Sequence, residues 1–300
     1  MLCDDLVRPR GPYSLELTAA GGTDATRRFR DGALTATLRV SEHLETACAS
    51  QRPDGAVALR AESEEGLRRL RALLALDDDH TEFLRRFARD PLLGAATRRL
   101  AGLRVLRVPT VAQALLRALC GQLIESRRAR AIEAAIVRTA TPSHPGTGLH
   151  AAPTERCLAR LSPADLRRLG LHARRGATLV RLCRSLDLER LHGLPTPLAA
   201  ARIERERGLG PWSAGVVCLE GLGRPEHGLT GDLGLVKLLA ALRGRRVEAW
   251  ETAELLEPYG DWAGLASVYL MKGFGRGLVP LPRSARPRVP AAAFRLAAAT

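Results

Sequence analysis

The spacing of apolar residues changes once along the chain, near Ser63, and that change limits the possible folds more than any other feature of the sequence. Between residues 12 and 62 the period is two. Leu34, Ala36, Leu38 and Val40 alternate with polar residues after an Asp31-Gly32 turn, and Ala56–Arg60 follows Pro53-Asp54-Gly55. Alternation of this kind predicts half-buried strands joined by hairpins. From Ser63 the spacing becomes helical, with Leu67, Leu70, Leu73 and Leu74 on one face. Asp77, Asp78 and Asp79 then stand where acids favour a helix start. From there to about residue 280 the pattern predicts helices of roughly eight to fifteen residues joined by short loops. The break Thr141–Gly148, rich in Pro and Gly, predicts a surface loop. The fold class is therefore α+β: a small sheet-plus-helix unit at 1–100, an all-helical unit at 101–280, and a Pro-, Arg- and Ala-rich tail at 281–300 expected to be mobile.

With 46% hydrophobic and 26% charged residues the chain has the composition of a packed protein. No window approaches the ~18–20 apolar residues of a membrane span. The start, MLCDDLVRPRGPY, lacks a basic-then-apolar leader pattern. Cys3, Cys48, Cys120, Cys157, Cys183 and Cys218 are scattered, which predicts reduced, mostly buried thiols in a cytoplasmic protein and excludes a zinc knuckle or four-Cys cluster. Net charge is +14, and its distribution is uneven. Residues 1–100 carry 16 basic and 16 acidic side chains, so the whole excess lies in the helical unit. A basic half of this kind predicts a polyanionic partner, most simply nucleic acid. Of the basic residues only Lys237 and Lys272 are not Arg, a bias that a GC-rich genome also produces.

The most informative segment is Arg202–Gly215. A helix is expected to end at Arg207, Gly208-Leu209-Gly210 to form a tight turn, and Pro211 to open the next helix, which runs through Val216 and Val217. Two glycines permit positive φ and close approach of the backbone to a ligand. The first amides of the following helix have no partner within it, which makes the turn a candidate anion site. An ordinary helix–turn–helix joint has the same local sequence.

Gly208-Leu209-Gly210 with Ser213-Ala214 resembles the hairpin of the helix-hairpin-helix DNA glycosylase superfamily. Three further elements agree in order. Ala118–Ser126, containing Gly121-Gln122-Leu123, resembles that family's Gly-Gln helix. Gly223–Asp232 resembles its Gly/Pro-rich stretch ending in a single Asp, here 22 residues after Gly210. Glu257–Leu270 resembles its last core helix. The strand-rich start is similar to the 3-methyladenine DNA glycosylase II branch, so the likeness extends over nearly the whole chain.

The resemblance implies a monofunctional DNA glycosylase of base-excision repair that flips out and excises damaged, alkylated bases and leaves an abasic site. It implies Asp232 as the catalytic carboxylate, although an Asp before a helix is also an ordinary N-cap. It implies Leu123 and Gln122 as the wedge that fills the emptied stack, where a core leucine is the plainer reading of Leu123. Trp212, Val216, Leu233 and Leu270 would line the base pocket, a poor one in aromatic surface because only 11 of 300 residues are aromatic. Tyr259, Trp262 and Tyr269 either supplement it or belong to the core. Gly208, Leu209, Gly210, Trp212 and Ser213 would meet DNA phosphate, with Arg127, Arg128, Arg243, Arg245 and Arg246 as electrostatic support. The lyase-type relatives carry a Schiff-base Lys at the position of Trp212. No redox cofactor and no catalytic metal are implied, only a monovalent cation at the hairpin carbonyls. The expected partner is double-stranded DNA, with no membrane, for a monomer on the bacterial nucleoid. The alternative from another class is a non-catalytic lesion-binding or architectural protein using the same hairpin. A sequence-reading helix-turn-helix fits poorly, since Ala214–Leu219 offers no long polar side chain to a major groove.

Overall fold

The structure, a computed structural model, describes residues 2–282. All but the first two residues of the expected mobile tail lie outside the described residues. The amino-terminal part is one antiparallel five-stranded sheet of β1 (Cys3–Val7), β2 (Arg27–Arg30), β3 (Ala33–Val40), β4 (His43–Gln51) and β5 (Val57–Ala61), in the order β1-β5-β4-β3-β2. Leu34 pairs with Ala49 and Leu38 with Glu45, so Leu34, Ala36 and Leu38 lie on the buried face as their alternation predicts. Two pieces depart from the expectation of strands over 12–62. Leu15–Ala19 is a short helix, α1, capped by Ser14, whose hydroxyl accepts from the Leu17 N–H. The first strand lies earlier, at residues 3–7, where Asp4 and Asp5 hide the apolar alternation of an edge strand.

Helix α2 (Glu64–Leu73) covers the sheet, with Ser63 as N-cap and Leu67, Leu70 and Leu73 buried against Leu34, Leu38 and Leu59. The helices that follow are α3 (Thr81–Arg86), α4 (Gly94–Arg99), α5 (Val111–Gly121), α6 (Ser126–Ala140), α7 (Glu155–Ala159), α8 (Pro163–Arg168) and α9 (Ala173–Ser185). They continue with α10 (Thr196–Glu204), α11 (Pro211–Val216), α12 (Leu233–Arg243), α13 (Thr252–Leu256) and α14 (Ala263–Gly275). Several have only five or six residues, shorter than their periodicity predicts. The segment 141–148 is a largely exposed loop, as expected, but it is not free. It folds back against the sheet, where the His150 N–H donates to the Ala25 carbonyl at 2.8 Å and the Thr147 hydroxyl lies 3.4 Å from that of Thr37.

The helical part has two apolar cores. One gathers around α5, α6 and α9 through Leu115, Leu119, Ile136 and Leu179. The other gathers around α12 and α14 through Phe83, Leu93, Leu235, Leu265 and Tyr269. Tyr259 and Tyr269 are buried in the second core, with rings 5.2 Å from Phe87 and 5.0 Å from Phe83. Trp262 packs on Phe83 at 5.7 Å. These three aromatics are therefore core and not pocket. Helix α11 lies between the cores: Ala214 and Val217 face the first, Trp212 and Val216 the second. All six thiols are free, and Cys120, Cys183 and Cys218 are buried; burial pushes Cys183 and Cys218 up to about 12. No helix among the described residues is long and apolar enough to cross a membrane.

Candidate active site

Asp232 sits at the N-cap of α12 with extended backbone angles, and both of its carboxylate oxygens are engaged. Oδ1 accepts from the Gly234 N–H at 2.7 Å, and Oδ2 accepts from the Trp212 indole Nε1–H at 2.8 Å. The bend that presents it is fastened on two sides. The Leu229 N–H donates to Ser267 of α14 at 3.1 Å, and the Gly231 N–H donates to the buried Thr252 hydroxyl at 2.7 Å. Upstream, the Gly/Pro-rich stretch is clamped between α11 and α14. A Cβ on Gly215 would lie 2.7 Å from the Gly228 carbonyl, and one on Gly264 would lie 2.7 Å from those of Pro225 and His227. The 22 residues separating the turn from Asp232 thus form a closed excursion that brings the carboxylate back to the first turn of α11.

The hairpin is where the spacing puts it, between α10 and α11, but its two glycines do different things. Gly208 has φ +94°, and a Cβ there would lie 3.1 Å from the Thr178 hydroxyl. Gly210 is extended, the N-cap of α11, and a Cβ there would meet open space. Positive φ is therefore required at one glycine only. Helix α11 runs through Val216 into Val217, as expected, and continues as a π-helical turn, Val217–Gly221. Leu209 is half-buried against the first core. The carbonyls of Glu206, Gly208 and Gly210 accept hydrogen bonds from Leu209, Gln122 and Ala214, which fix the course of the turn.

The Gly-Gln segment closes the other side. Helix α5 ends at Gly121, where a Cβ would come within 2.7 Å of the Trp212 ring, so only glycine leaves room for the indole. Gln122 does not project as a wedge. Its amide donates to the Gly208 carbonyl at 2.9 Å and to the Ser213 hydroxyl at 3.1 Å, bracing the end of α5 on the hairpin. Leu123 does project: it is 84% exposed and holds φ +55°. A leucine in the left-handed region, exposed to water, is unfavourable twice over, which rules out the reading of Leu123 as a core side chain. Ser213 is buried with its hydroxyl turned to Gln122, so a phosphate contact by this residue falls to its main-chain N–H.

The expected pocket is only partly assembled. Trp212 and Leu233 reach the surface around Asp232, with Leu233 46% exposed. Val216 is buried, and Leu270 is fully buried in the second core, because the inward face of α14 is filled by Leu265, Ala266, Tyr269 and Leu270. The residue of α14 that reaches the site is the next one, Met271, whose Sδ would stand 3.0 Å from a Cβ on Gly234. A one-residue shift of register on a helix turns the side chain by about 100°, and a resemblance of short motifs does not fix it. Arg127 and Arg128 are exposed at the start of α6, beside Leu123. Arg243 and Arg245 instead hold the Glu251 carboxylate, Arg245 at 2.6 Å, and Arg243 also bonds Glu254 at 2.6 Å, so their charge is largely spent within the protein. Neither lysine is near the carboxylate's partners: Lys272 Nζ donates to the Leu17 carbonyl of α1, and Lys237 lies on the exposed side of α12. Among the described residues no group of three or more His, Cys, Asp and Glu side chains is placed to hold a metal ion.

No family model matches the chain. A DNA-3-methyladenine glycosylase of Bacillus subtilis is 28% identical over 219 residues, covering 70% of this chain and 72% of that protein. A Mycobacterium tuberculosis protein described as "Probable bifunctional transcriptional activator/DNA repair enzyme AlkA" is 27% identical over 241 residues, and the match spans only 48% of its length. Among solved structures, a 3-methyladenine DNA-glycosylase from Archaeoglobus fulgidus superposes with TM-score 0.78 at 19% identity, over 91% of this chain and 98% of that one. An 8-oxoguanine glycosylase/lyase of Clostridium acetobutylicum bound to double-stranded DNA gives 0.76 at 18% identity, over 92% and 98%. The chain thus shares the fold of the Archaeoglobus fulgidus and Clostridium acetobutylicum enzymes over nearly its whole length, and in sequence and fold it is similar to the helix-hairpin-helix DNA glycosylases.

Proposed function

We propose that this protein is a monofunctional DNA glycosylase that excises alkylated bases from double-stranded DNA and leaves an abasic site. The observation that carries the reading is the carboxylate of Asp232, fixed at both oxygens by Gly234 and Trp212, with the Trp212 ring packed in turn on Gly121, two residues before an exposed, left-handed Leu123. The names of the Bacillus subtilis and Archaeoglobus fulgidus relatives support the alkylated-base class.

A nucleotide leaves the duplex at a cost of a few kcal/mol, least for a damaged or mispaired base. Leu123, standing clear of the surface, fills the vacated stack. The hairpin amides and the exposed Arg127 and Arg128 hold the backbone. As the bond from C1′ to the base nitrogen lengthens, the sugar ring becomes cationic. The Asp232 carboxylate stabilises that charge and orients the water whose oxygen adds to C1′ as its proton departs. The departing base takes up the bonding electron pair. The dipole of α12 favours negative charge at the N-cap where Asp232 sits. The monofunctional reading rests on Trp212: an indole whose N–H is committed to Asp232 occupies the place a Schiff-base amine would need, and Lys272 is tied to Leu17.

Incubation with randomly methylated duplex DNA, with freed bases identified by mass spectrometry, tests this. The native protein is expected to release methylated purines without cutting the strand. Asp232→Asn, which keeps an N-cap oxygen, is expected to remain folded and to lose about a hundredfold or more of the rate. Full release by that variant refutes the mechanism. Tight binding of the native protein to damaged DNA with no base released supports a non-catalytic lesion binder instead.

A further inference from the structure

Trp250 is 66% exposed, the most exposed of the three tryptophans, and among the described residues it has no side-chain hydrogen bond or ring–ring contact. An indole left in water forgoes the burial that usually rewards this side chain. Its support is nonetheless rigid. Trp250 lies on the turn Ala249–Glu251, closed by a reciprocal pair of hydrogen bonds between Glu248 and Glu251. Glu251 is buried and gripped by Arg243 and Arg245. The turn is also joined to the carboxylate bend by a single hydroxyl. Thr252, with no exposed surface, donates to the Ala249 carbonyl at 2.7 Å and accepts from the Gly231 N–H at 2.7 Å. Ala249 stands 3.8 Å from where a Gly231 Cβ would be. The exposed indole is thus carried on a turn anchored to the bend that presents Asp232.

The pocket as assembled lacks what Trp250 offers. Val216 and Leu270 are buried, and Trp212 is half-buried with its N–H committed to the carboxylate. Leu233, next to Asp232, and Trp250, on the turn tied to its bend, are the large apolar side chains there that are mostly exposed, and of the two only Trp250 is aromatic. We infer that Trp250 supplies the aromatic face against which the everted nucleobase stacks while its sugar lies at Asp232, and so sets the preference for the base that is removed. The inference rests on the glycosylase reading and adds a residue that the motif resemblance does not reach. Base–aromatic stacking is tolerant of sequence and strengthened by positive charge on the ring, which suits an alkylated purine.

The test compares Trp250→Ala and Trp250→Phe with the native protein in two measurements: release of methylated bases from randomly methylated duplex DNA, and affinity for a duplex carrying a tetrahydrofuran abasic analogue, which has a sugar but no base. Trp250→Ala is expected to lower the release rate about ten- to hundredfold, with affinity for the abasic duplex within about twofold of native. Trp250→Phe is expected to recover most of the rate, and both variants should melt with the native protein because the side chain is exposed. Release by Trp250→Ala within about twofold of native overturns the inference, as does a loss of abasic-duplex affinity as large as the loss of rate. A native protein that releases no base from methylated DNA removes the activity reading, and this inference with it.

Discussion

At the scale of single residues, function shows as local cost. Leu123 is exposed and left-handed where its sequence neighbours predict a helix core. A left-handed leucine costs roughly 1–3 kcal/mol. Leu123→Gly is therefore expected to leave the melting temperature unchanged or raised, since relief of strain offsets the added freedom of the unfolded chain. It is expected to slow base release about tenfold or more through loss of the wedge. A thermal melt and a release assay on the same preparation check both. A drop in stability with unchanged release would mark Leu123 as structural. Asp232 makes the complementary point. Its capping role was readable from its place before an apolar run, whereas the indole N–H at its other oxygen comes from a residue 20 positions earlier and has no local signature.

At the scale of elements, short spacings carried the resemblance and packing decided what each position does. Gly121, Gln122 and Leu123 are consecutive, yet one makes room for Trp212, one braces the hairpin and one faces solvent. Gly121→Ala is expected to push the indole off Asp232, because its Cβ would fall 2.7 Å from the ring. The expected cost is about 1–3 kcal/mol of stability, with a loss of base release well beyond what that destabilisation explains. Denaturant unfolding and single-turnover release at saturating protein separate the two effects. Leu270 and Met271 show the limit of motif reading. Both are apolar neighbours on α14, and only the packing of Tyr269 and Leu265 into the second core turns one inward and leaves the other at the site.

At the scale of the whole molecule, buried charge joins the two parts. Arg117 of α5 bonds Asp24 beside β2 at 2.8 Å, Glu133 of α6 at 2.9 Å and Glu220 of the π-turn after α11 at 2.6 Å. The sheet, the Gly-Gln helix and the end of the hairpin helix thus meet at one guanidinium. Burial opposes ionisation of Asp24, but Arg27, Arg117 and hydrogen bonds from Thr26 outweigh it and hold its pKa below the usual carboxylate value. At the site, the Arg245 guanidinium and the Glu248 N–H bring Glu251 from 4.5 down to about 2. A carboxylate whose pKa is lower in the folded state stabilises fully above its unfolded value and loses that contribution as pH falls toward its folded one. The protein is therefore expected to lose stability on acidification from about 4.5 toward 2, the span set by Glu251, with Asp24 acting in the same direction. Thermal melts followed by circular dichroism across that range test it; Glu251→Gln should flatten the dependence while lowering stability at neutral pH.

The sequence alone determined the order of layers, because period-2 and period-3.6 apolar patterns are local and each fixes its own buried face. It also determined the hairpin and the single Asp that follows it, through glycines and a helix start that depend on backbone conformation. It did not determine the helical turn within the first 60 residues, the docking of the 141–150 segment, or the walls of the pocket. Those follow from which side chains meet across long separations, and a linear pattern records the face of an element but not its partner. Tertiary packing alone set Trp212 on Asp232, turned Met271 in place of Leu270 toward the bend, and fixed Trp250 beside it, because each depends on how two apolar cores close around α11.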